Sequence, residues 1–408
     1  MSTNLSDNRK AVIEKRFDVF VFVALILILA KDYFWTMSGV RTELVGIFLL
    51  AVGAGYRAFT VSRFNLDIRL ALLSGLILVA WAGSLLTTYV GVISTSSYFA
   101  AFVTAILISV IRPRNIPTSL TIIVFVNILI QLYESISGTL LFVYVVEDGD
   151  QYDEIGLSSS DGSLRTKGVF ASPLNAVSVA MSNAFLSPKS PSKWLLLVAC
   201  SLLAQGRLGI AVGAVGVVVS LLFSGRGANV RYLLLYVAGF IFTVIGWAAF
   251  FGTEQSIQRI LEAGSIENSQ NISRLYLWGR SLEELANYDL MSFLFGKFGY
   301  IKMLEGATES DWLRIILDNG IFCFAAFLIP LLVGTVSAVR RKNWILLFSI
   351  ASCAMVMAVF PQAQSLPNGI LTWVFLISLL KGSSEIITRS TSQPQKKLGD
   401  CALQRCNT

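Results

Sequence analysis

Apolar runs of roughly 20 residues recur along almost the whole chain, and each is long enough to cross the hydrocarbon layer of a bilayer as a helix. Lipid offers a backbone no hydrogen-bond partners, so a chain built of such runs is confined to helices that satisfy their own N–H and C=O groups. The expected class is therefore all-α: a polytopic integral membrane bundle of about 12 transmembrane helices, with a long periplasmic loop containing short amphipathic helices. The runs predict spans over residues 17–37, 42–61, 70–88, 95–111, 119–143, 172–187, 193–205, 208–223, 232–251, 312–339, 344–360 and 366–380. Only 14% of the 408 residues are charged, against about a quarter in soluble domains, which excludes an ordinary water-soluble fold.

The basic residues supply an orientation. Residues 1–16 are polar and carry Arg9, Lys10, Lys15 and Arg16, so the N-terminus is expected in the cytoplasm. Every second connection should then be cytoplasmic, and those connections hold Arg63 and Arg69, Arg112 and Arg114, Lys189 and Lys193, Arg226 and Arg231, and the run Arg340, Arg341, Lys342. The expected organisation is a cytoplasmic N-terminus over 1–16, a transmembrane domain over 17–380 with outer loops at 144–171 and 252–311, and a disordered cytoplasmic tail over 381–408. The net charge of +7 is spread over many short loops instead of one face, which argues for membrane orientation and against a nucleic-acid partner. The location expected is a bacterial inner membrane, multi-pass, with both termini cytoplasmic.

Both outer loops are long. The first contains "EDGDQYDEIGLSSSDGSLRTKG" and reads as a mobile surface loop ending in Arg165 and Lys167. The second is too long for a plain connector. Within it, "SRLYLWGRSLEELANYDL" places Leu275, Trp278, Leu282 and Leu285 at helical spacing, with Arg274, Arg280, Glu283, Glu284 and Asn287 among them. That pattern predicts an amphipathic helix lying on the outer membrane surface. Its Arg274 and Arg280 either grip a phosphorylated ligand or contact phospholipid phosphates.

Polar groups inside apolar spans are costly and point to packing or function. Asn127, Gln131 and Glu134 fall at i, i+4 and i+7 on one face of the fifth span, where they either glue helices together or line a cavity. The stretch "KWLLLVACSLLAQGRLGIAVGAVGVVVSLLF" is split at Gln205, Gly206 and Arg207 into halves at or below spanning length. A broken hairpin would account for it, and so would two short spans with Arg207 at the outer interface. In the hairpin reading Arg207 stands before a helix N-terminus, where backbone N–H groups and the helix dipole favour a phosphate or pyrophosphate. In "ESDWLRIILDNG", Asp311, Arg314 and Asp318 line one helix face, either as a self-contained charge ladder or as part of a site. Glu309, just above, is not matched by that ladder and can accept a proton from a bound hydroxyl. Glu309 and Asp311 are the candidate catalytic carboxylates.

The chain has no histidine, which removes Ser–His–Asp, Cys–His and His-ligated zinc chemistry. No phosphate-binding GxxxxGK[ST] loop, no dinucleotide GxGxxG after a strand and no CxxC pair is present. Neither a cofactor nor a metal is expected. Arginines, carboxylates and aromatics remain, and a lipid-linked pyrophosphate sugar is a substrate that would use all three.

The second half of the chain, residues 165–330, resembles the O-antigen polymerase and ligase superfamily, the Wzy-type polysaccharide polymerases and their ligase relatives. "GVFASPLNAVSVAM" is similar to the small-residue stretch that opens one span, and "QGRLGIAVGAVG" resembles the arginine element before a small, aliphatic helix. "SRLYLWGRSLEEL" with "LFGKFGY" resembles the arginine-rich outer loop, and "ESDWLRIILDNGIF" the entry to the next span. The resemblance implies metal-independent, inverting glycosyl transfer from an undecaprenyl-diphosphate-linked glycan at the periplasmic face of the inner membrane. Arg207, Arg274, Arg280, Arg314 and Arg165 would then be the diphosphate-binding candidates. The product would be O-antigen or another exopolysaccharide, and a chain-length regulator, a flippase and the membrane lipids would be the other partners. Ligases of the superfamily tend to carry histidine where this chain has Glu309, which favours polymerase over O-antigen ligase. A lipid-linked oligosaccharide flippase or transporter is the competing class, although such proteins more usually show related halves and short loops.

Overall fold

The computed structural model describes residues 2–31, 34, 40–60, 68–87, 92–111, 115–141, 165–170, 172–223, 230–252, 257–258, 269–297, 310–359 and 366–381. Among these residues the chain is helical and contains no strand. The first half holds α1 (Ser2–Leu29), α2 (Thr42–Thr60), α3 (Ile68–Ser84), α4 (Val92–Ile111), α5 (Ile116–Ser137) and α6 (Pro173–Phe185). The second half holds α7 (Pro191–Leu203), α8 (Arg207–Phe223), α9 (Val230–Phe250), α10 (Ser269–Ala286), α11 (Leu290–Phe295), α12 (Asp311–Arg340), α13 (Trp344–Val359) and α14 (Leu366–Leu380). Thr42–Thr60, Ile116–Ser137 and Asp311–Arg340 are long and apolar enough to cross a membrane, and shorter apolar helices accompany them. Among the described residues the chain is thus all-helical, with helices long and apolar enough to cross a membrane. The helix bounds follow the expected apolar runs, with differences at two places: α1 is continuous from Ser2, so the polar residues before 17 extend the first helix instead of preceding it, and α5 closes at Ser137, short of the expected end at 143, where Gly138 takes the left-handed conformation.

A shared core runs through the bundle. Trp194, Trp373, Phe102, Phe185, Phe327 and Phe375 are fully buried, and Phe102 and Phe327 pack on the Trp373 ring at centroid distances of 4.9 and 4.1 Å. Aromatic pairs at such distances add about 0.5–1.5 kcal/mol beyond simple burial. Large apolar side chains on the outside of α2, α3 and α9, such as Phe48, Leu72 and Phe242, are exposed, as expected of a lipid-facing surface.

Two interruptions shape the fold. The first lies between α7 and α8, arms of 13 and 17 residues, about 20 and 25 Å long and so shorter than a hydrocarbon core of about 30 Å. They pack against each other along a seam of small residues: a Cβ on Gly213 would meet Val198, and one on Gly216 would strike the Trp194 ring. At the turn, the Gln205 N–H donates to Leu202 O at 3.1 Å and the Gly206 N–H to Ser201 O at 2.7 Å. With Gln205 at φ 52°, this is the Schellman arrangement that closes a helix C-terminus. The Ile210 N–H then donates to Gly206 O at 3.1 Å, so α8 starts at once and the pair forms a hairpin.

The second interruption is inside α12. Gly320 has φ 72° and ψ −177°, a conformation reserved in practice for glycine. The break turns the Leu317 carbonyl away from its own helix, and the segment after α10 takes it up. The Lys297 N–H donates to Leu317 O at 2.7 Å, and the Tyr288 hydroxyl donates to the same oxygen at 3.1 Å. Residues 288–297 therefore form a strap, with α11 packed against α3 and α12. Its Phe295 ring fills the space beside Gly83 and lies 5.5 Å from Phe322.

A Cβ at residue 320 would stand 2.2 Å from Leu294 O. Gly320→Ala therefore combines a backbone penalty of about 1–2 kcal/mol with displacement of the strap. The expected outcome is a lower unfolding temperature in detergent together with faster trypsin cleavage after Lys297. Cleavage at the wild-type rate would show that the strap does not depend on this close approach.

Candidate functional site

The polar stripe on α5 grips the chain just before α6. Glu134 is fully buried, and its Oε2 accepts from the backbone N–H groups of Lys167 at 3.0 Å and Gly168 at 2.9 Å. Its Oε1 accepts from the Leu141 N–H at 3.2 Å. Asn127 Oδ1 accepts from the Val169 N–H at 2.9 Å, and Gln131 Nε2 donates to Thr166 O at 3.2 Å. On its other side the same segment reaches the hairpin turn. The Thr166 hydroxyl donates to Leu203 O at 2.9 Å, and Arg165 Nε donates to Ala204 O at 3.4 Å. The expectation of a mobile loop through residue 171 is thus corrected at its end: Thr166, Lys167 and Phe170 are buried, because side chains of α5 supply the hydrogen bonds that water would otherwise supply.

This arrangement brings two of the expected arginines to one corner. Arg165 contacts Ala204, the residue that caps α7, and Arg207 is the first residue of α8, half-buried, two positions beyond the left-handed Gln205. At this corner Arg165, from the segment before α6, meets the turn from which Arg207 starts α8, and arginines beside the first N–H groups of a helix are suited to a phosphate or diphosphate. A guanidinium has five N–H donors in a planar fork, and the bond from Arg165 to Ala204 uses one of them.

The other candidates gather around α12. Ser310 caps the helix, its hydroxyl accepting from the Leu313 N–H at 3.5 Å, and Asp311 follows with no exposed surface. Of the two expected neighbours, Arg314 pairs with Asp318, at 3.3 Å from Nε to Oδ2. Asp311 lies within electrostatic reach of Tyr98 on α4 and Cys353 on α13. Glu309 lies outside the described residues.

Arg274 and Arg280 are half-buried on α10, which packs against α12. Six residues apart on a helix of 3.6 residues per turn, they point about 120° away from one another. Leu275 and Leu282 of the expected apolar stripe are exposed, while Trp278 and Leu285 are half-buried. α10 therefore rests on the bundle by one flank and presents the other outward. The helix of Arg207 is joined to α10 through two others: α8 packs on α13, α13 on α12, and α12 on α10. The candidates thus divide between the hairpin turn, with Arg165 and Arg207, and α12 with the helix packed on it, which carry Asp311, Arg314, Arg274 and Arg280.

Sequence reasoning passed over the strap residues Tyr288, Gly296 and Lys297. Lys297 sits 4.6 Å above the Tyr288 ring and 4.0 Å from Glu284, so it ties the end of α10 to the break in α12. The signal available was the Phe-Gly-Lys run itself, whose glycine marks a special backbone position. Among the described residues no group of His, Cys, Asp and Glu side chains could hold a metal ion. No family model matches the sequence and no curated protein matches it, so the chemistry of the site is argued from these residues alone.

Proposed function

We propose that the chain is a multi-pass protein of the bacterial inner membrane, crossing it twelve times with both termini cytoplasmic, that polymerises undecaprenyl-diphosphate-linked oligosaccharide repeat units. The observation that carries this reading is the pair Arg165 and Arg207 at the N-terminus of α8. Anion-binding groups held at the edge of an apolar bundle suit a ligand that is part lipid and part diphosphate.

In the proposed reaction a hydroxyl of the acceptor sugar attacks the anomeric carbon of the donor. The new C–O bond forms as the bond from that carbon to the diphosphate oxygen breaks, and the configuration inverts. Arg165 and Arg207 stabilise the charge that gathers on the departing diphosphate, with Arg274 and Arg280 as further contacts. Losing one such electrostatic contact costs about 2.7–4 kcal/mol of barrier, or about 10²–10³ in rate. Glu309 takes the proton of the attacking hydroxyl. Asp311 is fully buried and lies within electrostatic reach of Tyr98 on α4 and Cys353 on α13, which leaves Glu309 as the stronger assignment for the base. The product is O-antigen or another exopolysaccharide.

Arg207→Ala and Arg165→Ala are expected to abolish long-chain polymer while single repeat units still reach the cell surface, read as the chain-length ladder on a gel. An unchanged ladder refutes the assignment. Arg280→Lys tests for a bidentate contact, since lysine keeps the charge and loses the fork; full activity would reduce Arg280 to a lipid anchor. Glu309→Gln should also yield single units only, and normal polymer from it would move the base elsewhere.

One feature favours a second reading, a lipid-linked oligosaccharide transporter. Transporters build sites at interrupted helices, and α12 is interrupted at Gly320 beside buried Asp318, with the Tyr98 hydroxyl and the Asn319 amide nitrogen buried and lacking a hydrogen-bond partner among the described residues. Movement of a fluorescent lipid-linked sugar across proteoliposomes by the purified chain, without polymer formation, would favour it.

A further inference from the structure

We infer that Glu134 is a positioning residue for the anion site: its carboxylate clamps residues 166–168 by their backbone and so holds Arg165 beside Arg207. The inference rests on the diphosphate reading of the corner and assigns a role to a residue that touches neither substrate nor the reacting atoms.

The geometry is that of a clamp. A carboxylate accepting two adjacent N–H groups, Lys167 and Gly168, within 3.0 Å is a charge-assisted contact of the stronger class. It also accepts from Leu141, so it ties the end of α5 to the start of the next segment. Lys167 is itself buried and lies within electrostatic reach of the same carboxylate. Gly168 adopts φ 63°, and a Cβ there would stand 2.1 Å from Asn127 Oδ1. Only glycine lets the backbone come close enough for Val169 to reach Asn127.

Held from α5 on one side, residues 165 and 166 can meet the hairpin turn only at Ala204 and Leu203, where Arg165 and Thr166 donate. The position of the Arg165 guanidinium is therefore set from α5, through the intervening backbone. Arg207 is set independently, by the turn that starts α8. Glu134 therefore decides whether Arg165 reaches the turn from which Arg207 starts α8.

The test uses the full chain in phosphatidylcholine nanodiscs, with inorganic pyrophosphate as the probe in calorimetric titration. Arg165→Ala, Arg207→Ala and Glu134→Gln should each weaken pyrophosphate binding about tenfold, the scale of loss seen when a group that orients a binding side chain is removed. Because Glu134 acts through Arg165, the double variant Glu134→Gln with Arg165→Ala should bind no more weakly than Arg165→Ala alone. Multiplied losses would mean a general structural role and overturn the inference.

Hydrogen exchange of residues 165–170 should speed up in Glu134→Gln, and unchanged exchange would overturn the clamp. Asn127→Ala, which removes one acceptor only, should show the same pattern at smaller amplitude and serves where Glu134→Gln fails to fold. If Arg165→Ala weakens binding and Glu134→Gln does not, the positioning role fails while the diphosphate reading stands. If neither arginine variant changes binding, the diphosphate reading falls and the positioning role with it.

Discussion

In an apolar layer a backbone N–H or C=O that leaves its helix must find a partner inside the protein, and this requirement organises the two places where the bundle departs from plain helices. An unsatisfied backbone group in hydrocarbon costs several kcal/mol, comparable to a large part of a domain's net stability. At the break in α12 the Leu317 carbonyl is taken by Lys297 N–H and the Tyr288 hydroxyl. Before α6 the N–H groups of Lys167, Gly168 and Val169 are taken by Glu134 and Asn127. In both cases an irregular segment is drawn against the bundle by the need to close hydrogen bonds.

The same economy sets where charge is tolerated. Arg314 and Asp318 sit one turn apart and pair within α12; breaking a buried pair of this kind costs about 3–5 kcal/mol, although its net contribution beside an apolar replacement is small. Such a pair orients a helix more than it stabilises one. Arg165 and Arg207 differ, because each is drawn to the same turn by contacts of separate origin, one from the backbone before α6 and one from the start of α8.

Much of this was legible in the sequence because it depends on local pattern. Apolar runs marked the helices, and Gln205-Gly206-Arg207 marked the hairpin turn because three poor membrane residues in succession stop an apolar helix. Periodicity found α10, although only half of its expected lipid face is exposed, since pattern shows which residues are apolar and not which neighbour covers them. The α5 stripe was legible as a polar face. Its partners were not, because they are backbone groups some forty residues further along, and every residue carries the same backbone groups. Of the strap only the glycine of the Phe-Gly-Lys run was legible, and its contact was not, for the same reason: the approach of residue 296 to the break at Gly320 is backbone against backbone, which no side-chain pattern encodes.

The two sets of candidate residues are joined through packed helices of the bundle. α13 packs against α8 and α6 on one side and α12 on the other, and Trp312, next to Asp311, donates its indole N–H to Ala354 of α13 at 2.9 Å. A shift of the head of α12 relative to α13 would therefore strain that bond and alter the distance between Asp311 and the hairpin corner. The strap holds the lower part of the same head, at Leu317, while Ser310 caps its upper end. The first turns of α12 are thus fixed at three levels, by a cap, an indole and a strap, in a stretch where a free helix end would fray. In the proposed reading the substrate bridges the hairpin corner and the head of α12, and packing through α13 sets the separation of the two.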